Sequence, residues 1–313
     1  MRWRIDMDRL LDPKNDWAFK QVFGEEKHKE ILIEFLNDML GEHVLHGDLV
    51  VDVQFLKVEL DSEIIALRQS IVDVLCKTKD GTHFITEMQK ASDSGFIQRA
   101  VEYASRVYLN QRSRIKKKKN DKGGYKKMRP VIFLAIMEET LFPRKKEYLS
   151  HHQFRDIVTG DHDIKQMSFS FLELSKFNKE FDELSNNIER WAYYFKHATQ
   201  IDPEDLKRIV KDGSIFGEAY KALERSGYTP EQLLEYDRYE WKEEEIQTRI
   251  SDARAEERAK AENELAEQRA KAEAEKHAEK MEMAKNFLKM GLSVEQVAQG
   301  SGLSLEEVQG LKN

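Results

Sequence analysis

The stretch IVDVLCKTKDGTHFITEMQ, residues 71–89, constrains the fold more tightly than any other part of the chain. It reads as two extended apolar runs on either side of Asp80-Gly81, a dipeptide that signals a hairpin turn. A three-residue loop, Lys79-Asp80-Gly81, with Gly81 in the left-handed position, sets Thr78 against Thr82, Asp73 against Glu87 and Ile71 against Gln89. Directly opposed side chains share a face, with Cβ atoms about 4.5–5.5 Å apart. Leu75 and Ile85 fall on that face, and Val72, Val74, Cys76, Phe84 and Met88 on the other. Two like charges therefore project from an otherwise apolar sheet. A two-residue loop would send one of them to the opposite face.

Carboxylates placed in this way are costly. Either one keeps its proton, or a cation bridges both, or one meets Arg68, Lys77 or Arg99 in an ordinary salt bridge. Oxygen ligands with room for a bound water suit Mg²⁺ or Mn²⁺ far better than Zn²⁺.

The rest of the chain supplies a core for this hairpin. Trp17, Phe19, Val22 and Phe23, then Ile31, Leu32, Phe35, Leu36 and Leu40, recur at helical spacing, with Gly24 between the runs and Gly41 as a stop. LVVDVQFLKVEL reads as extended. Phe96, Ala100, Tyr103, Ala104, Val107 and Tyr108 line one face of a helix from about Ser94 to Arg114. VIFLAIM has the length and branching of a fully buried strand, and QFRDIVTGDHDIKQMSFSFLEL resembles two more strands around a polar turn. Helices resume from Ser175 to about Tyr239.

From about Trp241 to Met283 the chain is nearly all Ala, Glu, Lys, Arg and Gln. Charge pairs at helical spacing, each worth about 0.2–0.5 kcal/mol, sustain such a helix without a core. A solvated single helix and an alanine-rich coiled coil both satisfy the composition. In the last 30 residues Ser293-Val-Glu-Gln and Ser304-Leu-Glu-Glu each match a capping box, preceded by Gly291 and Gly302. That pattern suits a helix-turn-helix-like module. Its Glu295, Glu306 and Glu307 favour a dimerising or partner-binding unit over a DNA reader.

In order along the chain, DPKNDWAFKQVFG, FLNDML, IVDVLCKTKDGTHFITEMQ and QRAVEYASRVYLNQ resemble the Rpn group, the recombination-promoting nuclease and transposase branch of the PD-(D/E)xK nuclease superfamily. The resemblance runs from about residue 11 to about 175, and GLSVEQVAQGSGLSLEEV is similar to the tail such proteins carry. It implies an α/β fold, a restriction-endonuclease-like mixed sheet flanked by helices, with a helical region, a long charged helix and a small helical C-terminal module after it. The expected boundaries are 1–175, 176–240, 241–284 and 285–313.

The resemblance also implies metal-dependent DNA endonuclease activity, with Asp73 and Glu87 ligating Mg²⁺, or Mn²⁺ in its place, and the Met88 carbonyl completing the inner shell. Gln89 stands where the superfamily has lysine; it can orient a water but carries no charge. Glu34, favoured over Glu30, is the acid expected on the first core helix, and a solvated helix-face glutamate is the alternative for each. Arg99 and Tyr103 are expected to touch phosphate, although by its spacing alone Tyr103 is a core residue. The alternative in a different class is a DNA-binding or protein-interaction protein that keeps the nuclease fold without hydrolysis.

The basic run from Arg112 to Arg129, with Lys116, Lys117, Lys118 and Lys119 at its centre, reads either as a backbone-tracking segment or as a solvated loop. A formal net charge of −7 disfavours non-specific attachment to nucleic acid, but a local patch still acts over a Debye length of about 10 Å. His151, His152 and His162, among Asp156, Asp161 and Asp163, follow no metal-ligand spacing and read as structural or surface histidines. Phosphate-loop and nucleophile-elbow motifs are missing from the sequence. The single cysteine, Cys76, and an N-terminal stretch without an apolar segment point to a reducing, cytoplasmic setting and to no membrane partner. A homodimer through the C-terminal helical region is compatible with a helix of about 60 Å at 1.5 Å per residue.

Overall fold

The computed structural model describes residues 10–56, 72–91, 93–117, 124–211 and 213–311. It divides into two compact units, Met1–Glu243 and Glu244–Asn313.

In the first unit, Asn15 is fully buried and caps helix α1, Asp16–Phe23, by accepting from the backbone N–H groups of Trp17 at 2.9 Å and Ala18 at 3.3 Å. Gly24 ends the helix, and a Cβ there would lie 2.8 Å from the Lys20 carbonyl oxygen. Helix α2, Lys29–Leu45, follows after a short 3₁₀ turn. Gly41, expected as a stop, instead breaks the helix with φ 44° and ψ −151°, and a further turn runs on to Leu45.

A six-stranded mixed sheet has the order β1-β2-β3-β4-β6-β5. Its strands are β1, Gln54–Phe55; β2, Val74–Lys77; β3, His83–Gln89; β4, Val131–Met137; β5, Leu149–Gln153; and β6, Met167–Glu173. Residues 57–71, which include the rest of the expected extended run, Arg68 and Ile71, lie outside the described residues. β3 and β4 are parallel, joined by a crossover that contains helix α3, Phe96–Lys117. The expected buried strand VIFLAIM is β4, and all seven of its residues are buried.

Alternate strand residues face two layers. On one side, Leu75, Ile85, Phe133, Ala135 and Phe171 pack on Phe96, Ala100, Ala104 and Val107 of α3. On the other, Val74, Cys76, Phe84, Met88, Leu134, Ile136 and Leu172 meet α1, α2 and the later helices. Val72 was expected with Val74 but packs with Leu75 and Ile85, because Asp73 forms a bend ahead of β2 and interrupts the alternation.

The helical segment after residue 175 shares this core. Helices α4, Asn187–His197; α5, Pro203–Lys211; and α6, Ile215–Ala222, bring Trp191, Tyr194, Phe195 and Phe216 against Phe19, Phe23 and Phe35. The Trp191 indole N–H donates to Asp38 at 2.8 Å. Helix α7, Pro230–Lys289, starts earlier and ends later than its composition predicts, and contributes Tyr236 to the same core.

In the second unit, α8, Val294–Ser301, and α9, Leu305–Gly310, each start at the expected capping box, with Ser293 and Ser304 as N-caps. Ala284, Val297, Leu303 and Val308 form a small core of their own.

Phe23 is fully buried, and its ring centroid lies 4.9–6.5 Å from those of Phe19, Phe35, Trp191, Tyr194 and Phe195. Phe23→Ala is therefore expected to lower stability by about 3–5 kcal/mol, measured by urea unfolding.

Candidate active site

The hairpin register follows from its turn. The Thr78 N–H donates to the Thr82 carbonyl at 3.0 Å, the Gly81 N–H to the Thr78 carbonyl at 3.0 Å, and Gly81 has φ 97°. Val74 then faces Thr86 and Lys77 faces His83. One step outward along the same register, Asp73 comes opposite Glu87.

The two carboxylates are stitched to each other's strands. Asp73 Oδ2 accepts from the Met88 N–H at 2.8 Å, and Glu87 Oε2 accepts from the Asp73 N–H at 3.2 Å. Asp73 Oδ1 lies 3.0 Å from Lys20 Nζ, on α1, with the Asp73 side chain 7% exposed. The Lys20 ammonium also sits 5.9 Å from the centre of the Tyr239 ring.

Burial pushes the Asp73 carboxyl up from its ordinary 3.8 to about 6; Lys20 opposes this, and Asp16 reinforces it. The ion pair with Lys20 would by itself lower Asp73, but removal from water outweighs it. Burial, then the neighbouring Asp73 charge, raises Glu87 well above the usual carboxylate range. Asp16 on α1 is raised by burial as well, against the attraction of Lys20 and Lys90. For Lys20, burial pulls the ammonium down, yet Asp73 and Asp16 together leave it raised.

Gln89 ends β3. Its Nε2 donates to the Ala91 carbonyl at 2.8 Å, and its Oε1 accepts from Arg99 Nη2 at 3.1 Å. Arg99 also pairs through Nη1 with Asp93, and among the described residues its buried Nε has no hydrogen-bond partner. Arg99 is therefore the neighbour of Gln89, while the salt-bridge partner of Asp73 is Lys20, on an element that the strand spacing alone does not bring in. Tyr103, on the same helix as Arg99, is partly buried against the α3 core.

Glu34 does not join this group. It is exposed on α2, and among the described residues no hydrogen bond or ion pair involves it. The helix acid coupled to both strand carboxylates is Asp16. Asp16 and Lys20 are four residues apart in DPKNDWAFKQVFG, which places them on one helix face. That spacing carried a signal that the apolar pattern of the same helix concealed.

Lys116 and Lys117 belong to α3, which extends past Arg114 into the expected basic connection, while Lys118 and Lys119 lie outside the described residues. His151 and His152 stand on β5, at the sheet edge remote from β2. Burial, helped by His43, pushes His151 down to about 4.

Among the described residues no three His, Cys, Asp or Glu side chains are grouped as ready metal ligands. The donors nevertheless fit a hard divalent cation: Asp73 and Glu87 offer oxygen alone, from two strands tied together by their own carboxylates. Such an ion would take the place that the Lys20 ammonium holds on Asp73 Oδ1.

A family model described as PD-(D/E)XK nuclease family transposase matches residues 13–253. Comparisons with curated proteins and with solved structures give no match.

The Asp73 shift has a defined pH signature. With a folded value near 6 and an ordinary value of 3.8, the native state keeps a proton that the unfolded chain releases, so this group's contribution to stability falls as pH rises from about 4 to about 6. Asp73→Asn removes the titration. In chelator-treated protein, the difference between Asp73→Asn and wild type should move in the variant's favour by about 2 kcal/mol between pH 4 and pH 7, read by urea unfolding.

Proposed function

The chain belongs to the PD-(D/E)XK nuclease family transposases, and on that premise we propose that it is a metal-dependent endonuclease that hydrolyses phosphodiester bonds in DNA. The observation that carries the reading is the cross-strand arrangement of Asp73 and Glu87, each accepting a backbone N–H from the other's strand. Two largely desolvated carboxylates in register, both with raised proton affinity, are a poor structural device but a good cation receptor.

Asp73 and Glu87 hold Mg²⁺, or Mn²⁺ in its place, with the Met88 backbone carbonyl as a further ligand. The bound ion supplies polarisation of the scissile phosphate and a water of lowered pKa. Gln89 keeps one amide N–H and one oxygen lone pair beyond its bonds to Ala91 and Arg99, enough to orient that water. Arg99, bonded to Gln89, gives a charged group for phosphate, with Tyr103 one turn further along the same helix. Lys116, Lys117, Lys118 and Lys119, by their charge in the sequence alone, would add phosphate contacts.

Gln89 favours a second reading. Without the superfamily's lysine, the fold would bind DNA or a protein partner without cutting. A cation requirement separates the two, because a pure binder has no use for Asp73-dependent metal affinity.

Among the described residues no helix is long and apolar enough to cross a membrane. We place the protein in the cytoplasm, where the buried free thiol of Cys76 stays reduced, and assign the C-terminal helical region to homodimer formation. Sedimentation of a chain ending near residue 240 is expected to show a smaller oligomer than the full chain, and equal states would refute that assignment.

In a plasmid-nicking assay with Mg²⁺, Asp73→Ala and Glu87→Ala are expected to lower the rate at least 100-fold and to abolish Mn²⁺ binding measured by calorimetry. Equal rates for wild type and Asp73→Ala would remove the nuclease reading.

A further inference from the structure

Gln89 leaves the site without the positive charge that a developing phosphorane needs, yet the site is not without a cation. Lys20 projects from α1 onto Asp73, with Nζ 3.0 Å from Oδ1 and the side chain 25% exposed. It is the described cation in direct contact with a carboxylate assigned to the metal. Lys90, next to Gln89 in sequence, is a weaker candidate, because its ammonium lies 2.5 Å from Glu243 and 3.6 Å from Asp12. Arg99 is divided between Asp93 and Gln89.

The position of Lys20 is built. Phe19, Val22 and Phe23 anchor the other side of α1 in the core, and Asn15 fixes the start of the helix. Asp16, one turn earlier on the same face, and the Tyr239 ring add to the field that holds the ammonium over the carboxylates. An ammonium on a flexible stem can leave one carboxylate oxygen for a phosphate oxygen nearby at little cost.

We propose that Lys20 supplies, from α1, the charge that lysine supplies from the sheet in other PD-(D/E)xK enzymes, and that it donates to a non-bridging oxygen of the scissile phosphate. The inference rests on the nuclease reading above. When a divalent ion occupies Asp73 and Glu87, Lys20 gives up Oδ1 and turns to the substrate. In the hydrolytic step the water oxygen bonds to phosphorus, and the bond to the leaving oxygen breaks with its electron pair. The water's proton passes to solvent, and a solvent proton neutralises the leaving oxygen. Lys20 remains an ammonium throughout and stabilises the charge that builds on phosphorus-bound oxygen.

Two measurements on the full chain test this: plasmid nicking in Mg²⁺, and Mn²⁺ binding in the absence of DNA. Lys20→Met is expected to cut about 100-fold more slowly or worse, while binding Mn²⁺ as tightly as wild type or more tightly, since the ammonium no longer competes for Asp73. Lys20→Arg should recover part of the rate. The double variant Lys20→Met, Gln89→Lys should recover more, by returning an ammonium to β3. Nicking by Lys20→Met within threefold of wild type would overturn the proposal. So would loss of Mn²⁺ binding together with cutting, which a merely structural ion pair would give, or failure of both restoring variants. Asp73→Ala separates the two levels: full activity there sinks the nuclease reading itself, whereas an inactive Asp73→Ala beside an active Lys20→Met sinks the role of Lys20 alone. A wild-type chain that cuts nothing removes both.

Discussion

The cross-strand bond from the Met88 N–H to the Asp73 carboxylate governs the geometry of the whole site. It fixes where β2 begins, because Asp73 bends out of the ladder to accept that donor, and it fixes which way the carboxylate turns. Its mate, from the Asp73 N–H to Glu87, closes a loop of two side chains and two backbone groups. Neither bond repays the removal of two carboxylates from water, as their raised proton affinities show. Glu173 offers the contrast within the same sheet. It is more deeply buried, at 0% exposed, and accepts from the backbone N–H groups of Leu141 and Phe142 and pairs with Lys176 at 2.6 Å, so protein groups surround its charge. A buried acid that is answered holds loops in place. Asp73 and Glu87 keep raised proton affinities despite their protein partners.

The layers around the sheet serve this arrangement. The α3 side carries Arg99 and Gln89's other contacts, and the opposite side carries α1 with Asp16 and Lys20. The end of the β2–β3 hairpin is where both layers reach the same two strands. Only a thin apolar hairpin, with Leu75 and Ile85 below and Cys76 and Phe84 above, separates them.

Much of this was legible in the sequence. The hairpin was readable because side-chain period and turn chemistry are local rules, and Asp80-Gly81 leaves little freedom in register. The two serine caps of the tail and the buried strand VIFLAIM were readable for the same reason. The partner of Asp73 was not, because Lys20 lies more than 50 residues away in sequence and reaches the carboxylate through tertiary packing. Glu34 was expected, ahead of Glu30, as the acid on the first core helix, and Asp16, on the shorter helix before it, was not. What separates them is the rotation of each helix against the sheet, which depends on the summed fit of Phe19, Phe23, Phe35 and Trp191 and on no single residue. The extent of the first core was hidden similarly: the helices after residue 175 read as an addition, yet Trp191 and Tyr194 complete the cluster around Phe23.

Helix α1 is at once a wall of the aromatic cluster and the mount for Asp16 and Lys20. Its two faces are a single rigid object about 10 Å across, so any slackening of the oily side is transmitted directly to the charged side. A substitution at Phe19 or Phe23 would therefore shift the setting of Asp16 and Lys20 along with the packing of the core.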